Sequence, residues 1–129
     1  MSKIVIVDDS LELLEVLKYF LEEKGFEVET VTKRQELIYI IKSSSPDLII
    51  LDIYLQGEDG REICKELRKQ EETKYLCILM FSASAKVLTH FKEYGADGYI
   101  EKPFGLNEMV AKIESTLETC KEYHQNYSK

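Results

Sequence analysis

The chain has 129 residues, 44% of them hydrophobic and 32% charged, which fits one globular domain with a single core and excludes a disordered or fibrous protein. Its 24 acidic residues against 17 basic ones give a net charge of -7, a balance that repels phosphate backbones and anionic lipid, so direct binding of nucleic acid or membrane is not expected. Three cysteines, Cys64, Cys77 and Cys120, are odd in number and share no C-x-x-C spacing, which points to neither a disulfide framework nor a zinc site and favours a reducing compartment.

The first apolar run, Ile4 to Val7, stops at Asp8-Asp9 and is too short for a signal peptide or a membrane span, so the cytoplasm is the expected location. It reads as strand one. Ser10 is placed to cap a first helix, in which Leu14, Leu17 and Leu21 recur at three and four residues and which Lys24-Gly25 ends. Phe26 to Val31 alternates apolar with polar residues, as an exposed edge strand does. Leu37, Ile38 and Ile41 form the inner face of a second helix, which gives way to Ser43-Ser44-Ser45-Pro46. Leu48 to Leu51 is an unbroken apolar run of the kind that central parallel strands carry, and it ends at Asp52. Ile63, Cys64 and Leu67 mark the third helix, and Cys77 to Phe81 the fourth strand, ending at Ser82. Val87, Leu88 and Phe91 predict a fourth helix stopping at Gly95. Tyr99-Ile100 is the fifth strand, ending in Glu101-Lys102-Pro103, and Leu106, Met109, Val110, Ile113 and Leu117 follow one stripe of a fifth helix. Residues 1–121 are thus read as one domain without internal repeat or linker, followed by a polar tail over 122–129 that is expected to fray.

Strands alternating with helices make βαβ units around a parallel sheet, an α/β doubly wound architecture. Ligands in such sheets bind beyond the carboxyl ends of the strands. Those ends carry Asp8 and Asp9, Asp52, Ser82 and Lys102, so three carboxylates, a hydroxyl and an amine fall on one edge. Two like charges about 4 Å apart repel by about 4 kcal/mol at an effective dielectric of about 20, so a cation is required among the carboxylates. Oxygen-only donors favour Mg²⁺, which binds through one or two carboxylates, waters and a phosphate. Lys102 can meet phosphoryl oxygens and Ser82 can donate to another. Taken singly, each residue has a plainer reading as a turn former, a cap or a loop residue. Their conjunction at four strand ends is what carries the functional reading.

The segments IVIVDDS, DLIILDIYLQGEDG, ILMFSAS and GADGYIEKPF resemble the response-regulator receiver domain, and the likeness runs across residues 3–120. The resemblance implies a (βα)5 flavodoxin-like fold with strand order 2-1-3-4-5, and two-component signalling. It implies Asp52 as phosphoacceptor for a sensor histidine kinase or phosphotransfer protein, with Lys102 and Ser82 on the phosphoryl group. Asp9 would ligate Mg²⁺ directly, Asp8 largely through water, and the backbone carbonyl of Tyr54 would complete the set. Tyr99 matches the aromatic position that turns inward on activation, so output to a downstream protein would pass through the face of helix four, strand five and helix five. Lys102-Pro103 resembles a Lys-Pro bond that is often cis in the family. Such a domain catalyses its own phosphorylation and slow dephosphorylation, and is no multiple-turnover enzyme.

Two departures from the family pattern stand out. The loop after Asp52 reads Gln56-Gly57 where relatives often carry Pro-Gly, which keeps a glycine free for positive φ but loses the preset proline angle. Tyr54 occupies a position that varies widely and tunes the lifetime of the phosphoryl group. Rival readings fit less well. A flavin phosphate needs hydroxyl and amide donors after strand one, where this chain puts two carboxylates. A phosphatase of the haloacid-dehalogenase type needs a second acid two residues beyond Asp8, where Ser10 stands. His90, on the fourth helix, reads as a solvated surface residue, and His124 falls in the tail. A receiver excised from a longer regulator with an effector domain is the remaining alternative.

Overall fold

In a computed structural model the chain runs β1 (Lys3–Val7), α1 (Leu11–Glu23), β2 (Glu27–Val31), α2 (Arg34–Ser44), β3 (Leu48–Asp52), β4 (Tyr54–Leu55), β5 (Glu58–Asp59), α3 (Gly60–Lys69), β6 (Cys77–Ser82), α4 (Ala85–Leu88), a 3₁₀ turn at Phe91–Tyr94, β7 (Gly98–Glu101) and α5 (Leu106–Tyr127). The structure describes residues 2–127, and 123–127 as backbone alone. Five strands form one parallel sheet in the order β2-β1-β3-β6-β7, the doubly wound order expected of the fold class. No helix among the described residues is long and apolar enough to cross a membrane.

Side chains alternate between the faces of a strand, and the core divides accordingly. Val5, Val7, Ile49, Leu51, Ile78 and Met80 point to one face and pack under α2, α3 and α4 through Leu37, Ile41, Ile63, Leu67 and Leu88. Ile4, Ile6, Leu48, Ile50, Leu79 and Phe81 point to the other, beneath Leu14, Leu17 and Leu21 of α1 and Met109 and Ile113 of α5. The central strands are buried on both faces, which is why their sequences are unbroken apolar runs. The edge strand β2 keeps the alternation read from its sequence. Ser10 caps α1 as expected, its hydroxyl accepting from Leu13 N at 3.3 Å.

The structure departs from the sequence reading in three places. The fourth helix is a single turn: His90 N turns to the Val87 carbonyl at 3.2 Å, and a 3₁₀ turn continues to Gly95 at φ 90°. Leu88 is still buried, and Val87 and Phe91 still pack on the core, because apolar residues spaced this way serve two short turns as well as one continuous helix. The polar segment assigned to a tail is helical through Tyr127, extending α5, while Ser128 and Lys129 lie outside the described residues. The third departure concerns the cysteines. Cys77 opens β6 and Cys120 lies on the sheet-facing side of α5, their Cα atoms 6.0 Å apart, and they are joined by a disulfide that the spacing did not reveal. Cys64 is free and buried.

Candidate functional site

The parallel register builds the site. Val7 pairs with Leu51, so Asp8 and Asp52, each one residue further on, emerge side by side at the carboxyl edge. Asp52 in turn pairs with Phe81, and Ser82 with Glu101, which brings Ser82 and Lys102 to the same edge. Carboxylate oxygens of Asp8, Asp9 and Asp52 lie within 4.8 Å of one another. Asp8 and Asp52 are buried, at 1% and 4% exposure, whereas Asp9 is exposed.

The Lys102 ammonium bridges the two buried acids, with Nζ 2.9 Å from Asp8 Oδ2 and 3.5 Å from Asp52 Oδ2. Asp8 Oδ1 accepts from Ser10 N at 2.9 Å, and Asp52 Oδ1 from Tyr54 N at 3.3 Å. One lysine does not offset burial beside a second acid. Burial first, then the nearby Asp8 charge, push the Asp52 carboxyl up to about 6, against the lowering pull of Lys102. Ser82 is buried, and its Oγ accepts from Ser84 N at 3.1 Å, so its own proton remains to donate.

Two positioning residues escaped the sequence reading. Phe81 places its ring 4.4 Å from Lys102 Nζ and packs against Phe104 at 5.2 Å between centroids, so the lysine leans on an aromatic face on its way to the acids. From sequence alone Phe81 reads only as a strand residue. Gly60 opens α3 hard against the end of β3: its N donates to Ile53 O at 2.8 Å, and a Cβ there would overlap the Asp52 carbonyl oxygen. The glycine in the Gly-Glu-Asp-Gly segment was a visible signal for this close approach. Between Asp52 and Gly60, where the sequence reads as a loop, the chain folds into the β4–β5 hairpin, and Gly57 takes the positive φ, 76°, that a glycine there permits. Tyr54 rides on that hairpin with its side chain 55% exposed.

Tyr99 is not in the carboxylate cluster. It is half-buried on β7, its ring 5.3 Å from that of Phe91 and 5.8 Å from Lys112 Nζ. The Lys102–Pro103 bond is cis. His90 is exposed and lies 3.4 Å from the Glu93 carboxylate, in keeping with its surface reading, and the side chain of His124 lies outside what is described.

The donor set fits a hard divalent cation. Its candidate ligand atoms are all oxygens, the carboxylates outnumber the single ammonium, and one of the three opens to solvent, from which waters could complete a coordination shell.

The sequence matches the response regulator receiver domain over residues 4–114. The phosphate regulon transcriptional regulatory protein PhoB of Rhizobium meliloti (strain 1021) is 37% identical over 123 residues, 94% of this chain and 54% of that protein. Among solved structures, NtrX of Brucella abortus superposes with a TM-score of 0.88 at 28% identity, covering 98% of this chain and 29% of NtrX. The chemotaxis response regulator CheY4 of Vibrio cholerae gives 0.82 at 28% identity, covering 90% of this chain and 98% of CheY4. The chain therefore spans about half the length of the curated relative and under a third of NtrX. With the match running from the first strand into the last helix and enclosing every residue of the carboxylate edge, the chain belongs to the response regulator receiver domain family.

Proposed function

We propose that Asp52 is the phosphoacceptor of a Mg²⁺-dependent two-component switch, and the observation that carries this reading is the buried Asp8–Asp52–Lys102 cluster at the carboxyl edge of the sheet. The ionised Asp52 carboxylate attacks the phosphorus of a phosphohistidine on a sensor kinase or phosphotransfer protein, or of a small acyl phosphate. A P–O bond forms as the bond to the leaving imidazole or carboxylate breaks. Held to about 6, Asp52 is largely ionised at neutral pH and ready to act as nucleophile. Asp9 would hold the cation directly and Asp8 largely through water, with Asp52 and the Tyr54 carbonyl supplying the remaining protein oxygens. Bound there, Mg²⁺ supplies positive charge to the transferring phosphoryl oxygens. Lys102 exchanges its ion pair with the acids for one with a phosphoryl oxygen, and Ser82 donates its free proton to another.

Drawing Ser82 toward the phosphoryl group vacates space that Tyr99 enters, which alters the face formed by α4, β7 and α5 where a downstream protein docks. Support for this coupling is by family analogy, together with the half-buried position of Tyr99 against Phe91. The domain catalyses only its own phosphorylation and slow dephosphorylation, and works in the cytoplasm. Treatment with acetyl phosphate and Mg²⁺ followed by intact mass and peptide mapping tests the assignment. One phosphoryl group should appear on Asp52, and equal labelling of an Asp52→Asn protein would overturn it.

A further inference from the structure

The Cys77–Cys120 pair lies at the opposite end of β6 from Ser82, outside the site just described. Its two sulfurs differ in surroundings. Cys77 is 3% exposed at the start of the strand and lines a single surface crevice, shared with Cys120, whereas Cys120 is half-buried and also lines a second crevice with Lys74 and Asp97. An incoming reagent therefore meets Cys120 first. The bond is not the sole hold on α5, which Met109, Ile113 and Thr116, all buried, also seat on the sheet. The reduced form is also provided for, since the Cys77 sulfur lies 3.6 Å from the Thr116 carbonyl, an acceptor for a buried thiol. Asp97 stands close enough to suggest a metal, but its Oδ2 accepts from Arg68 at 2.8 Å and from Ile78 N at 2.8 Å, which commits it to holding the chain. The third cysteine is silent, because burial pushes the Cys64 thiol up to about 11.

We propose that Cys77 and Cys120 are a thiol–disulfide exchange site for low-molecular-weight disulfides, and that its redox state sets how firmly the distal part of α5 is held on the sheet. The Cys120 thiolate attacks one sulfur of the small disulfide and releases one thiolate. The Cys77 thiolate then attacks the Cys120 sulfur of the mixed disulfide and releases the second. The two protons of the protein thiols end on the two released thiols, so one disulfide is formed for one consumed. Among the described residues, Cys120 is the last on α5 to pack against the core, and Lys121 and Glu122 beyond it are exposed. Closing the bond pins the helix at the last point of contact among the described residues, and opening it leaves Leu117 and the Cys120 thiol as the outermost anchors among them. In a reducing compartment a bond of this kind exchanges and does not serve as a permanent staple. The inference is independent of phosphorylation at Asp52.

The full-length chain, equilibrated natively across a series of reduced-to-oxidised glutathione ratios, tests it. Acid quenching, alkylation and peptide mapping should show the Cys77–Cys120 bond forming and breaking reversibly while Cys64 stays reduced. Amide hydrogen exchange at residues 117–122 should be faster by about tenfold or more in the reduced form, with β1 and β3 unchanged. A Cys120→Ser protein should exchange like the reduced form at every ratio, and the wild-type chain supplies the same readout if that variant does not fold. A pair that stays in one form across the series, or equal exchange in both forms, would overturn the proposal.

Discussion

Replacing Asp52 by Asn should stabilise the metal-free protein, and the gain should depend on pH in a defined way. The carboxyl is held at about 6 in the folded chain against an ordinary value of 3.8, chiefly by burial and by the Asp8 charge. A carboxylate whose folded value is raised is more easily protonated in the native state, so its contribution to stability is fully present below about 3.8. It is lost as the pH rises through about 6. Above that, the ionised group costs about 3 kcal/mol, from the difference between the two values at 1.36 kcal/mol each. The amide has nearly the same shape and no charge. Urea denaturation of both proteins in EDTA, at intervals from pH 3.5 to 8, should show a gap between variant and wild type that is near zero at the acid end. It should open between about 4 and 6 and level off near 3 kcal/mol. A gap that does not change with pH, or a variant less stable than wild type at neutral pH, would refute the reading that Asp52 is held in unfavourable charge.

Gly60→Ala should be destabilised by more than about 2 kcal/mol and should lose phosphoacceptance from acetyl phosphate, since its methyl displaces the Asp52 carbonyl; denaturation and labelling read the two effects. Arg68→Ala should cost on the order of 3 kcal/mol in chemical denaturation, because the guanidinium donates to the carbonyls of Gly95, Lys74 and Leu76 and to Asp97, and all four lose a partner at once. Tyr54→Asn should speed loss of the phosphoryl group several-fold at saturating Mg²⁺ with metal affinity little changed, since an amide is better suited than a phenol to orient an attacking water; unchanged or slower loss would return Tyr54 to a packing role.

The carboxylate edge was readable because its determinants are local. An apolar run stops at an acid, a hydroxyl or a lysine, and parallel topology then brings the stops together. What escaped depends on contacts between segments remote in sequence, or on signals shared by two structures. Phe81 supports Lys102 only because β6 and β7 are neighbours. Val87, Leu88 and Phe91 satisfy one helix or two short turns equally, and the hydrogen bond from His90 N to Val87 O that decides between them leaves no mark on composition. The Cys77–Cys120 pairing spans 43 residues and requires α5 to lie across the start of β6, which no spacing rule encodes.

The pairing of Val7 with Leu51 bears on which changes in chain length this protein can absorb. Asp8 and Asp52 meet because two strands, remote in sequence, share a register fixed by their apolar faces. The number of residues in α1, β2, α2 and their connections does not enter that register. Residues can be added or removed in those connections while the two carboxylates keep their separation. A single residue inserted within β1 or β3 would carry one acid to the opposite face of the sheet and leave Lys102 with half its partners. The geometry of the site is thus insulated from the parts of the chain most free to vary, and sensitive only to those already constrained by burial.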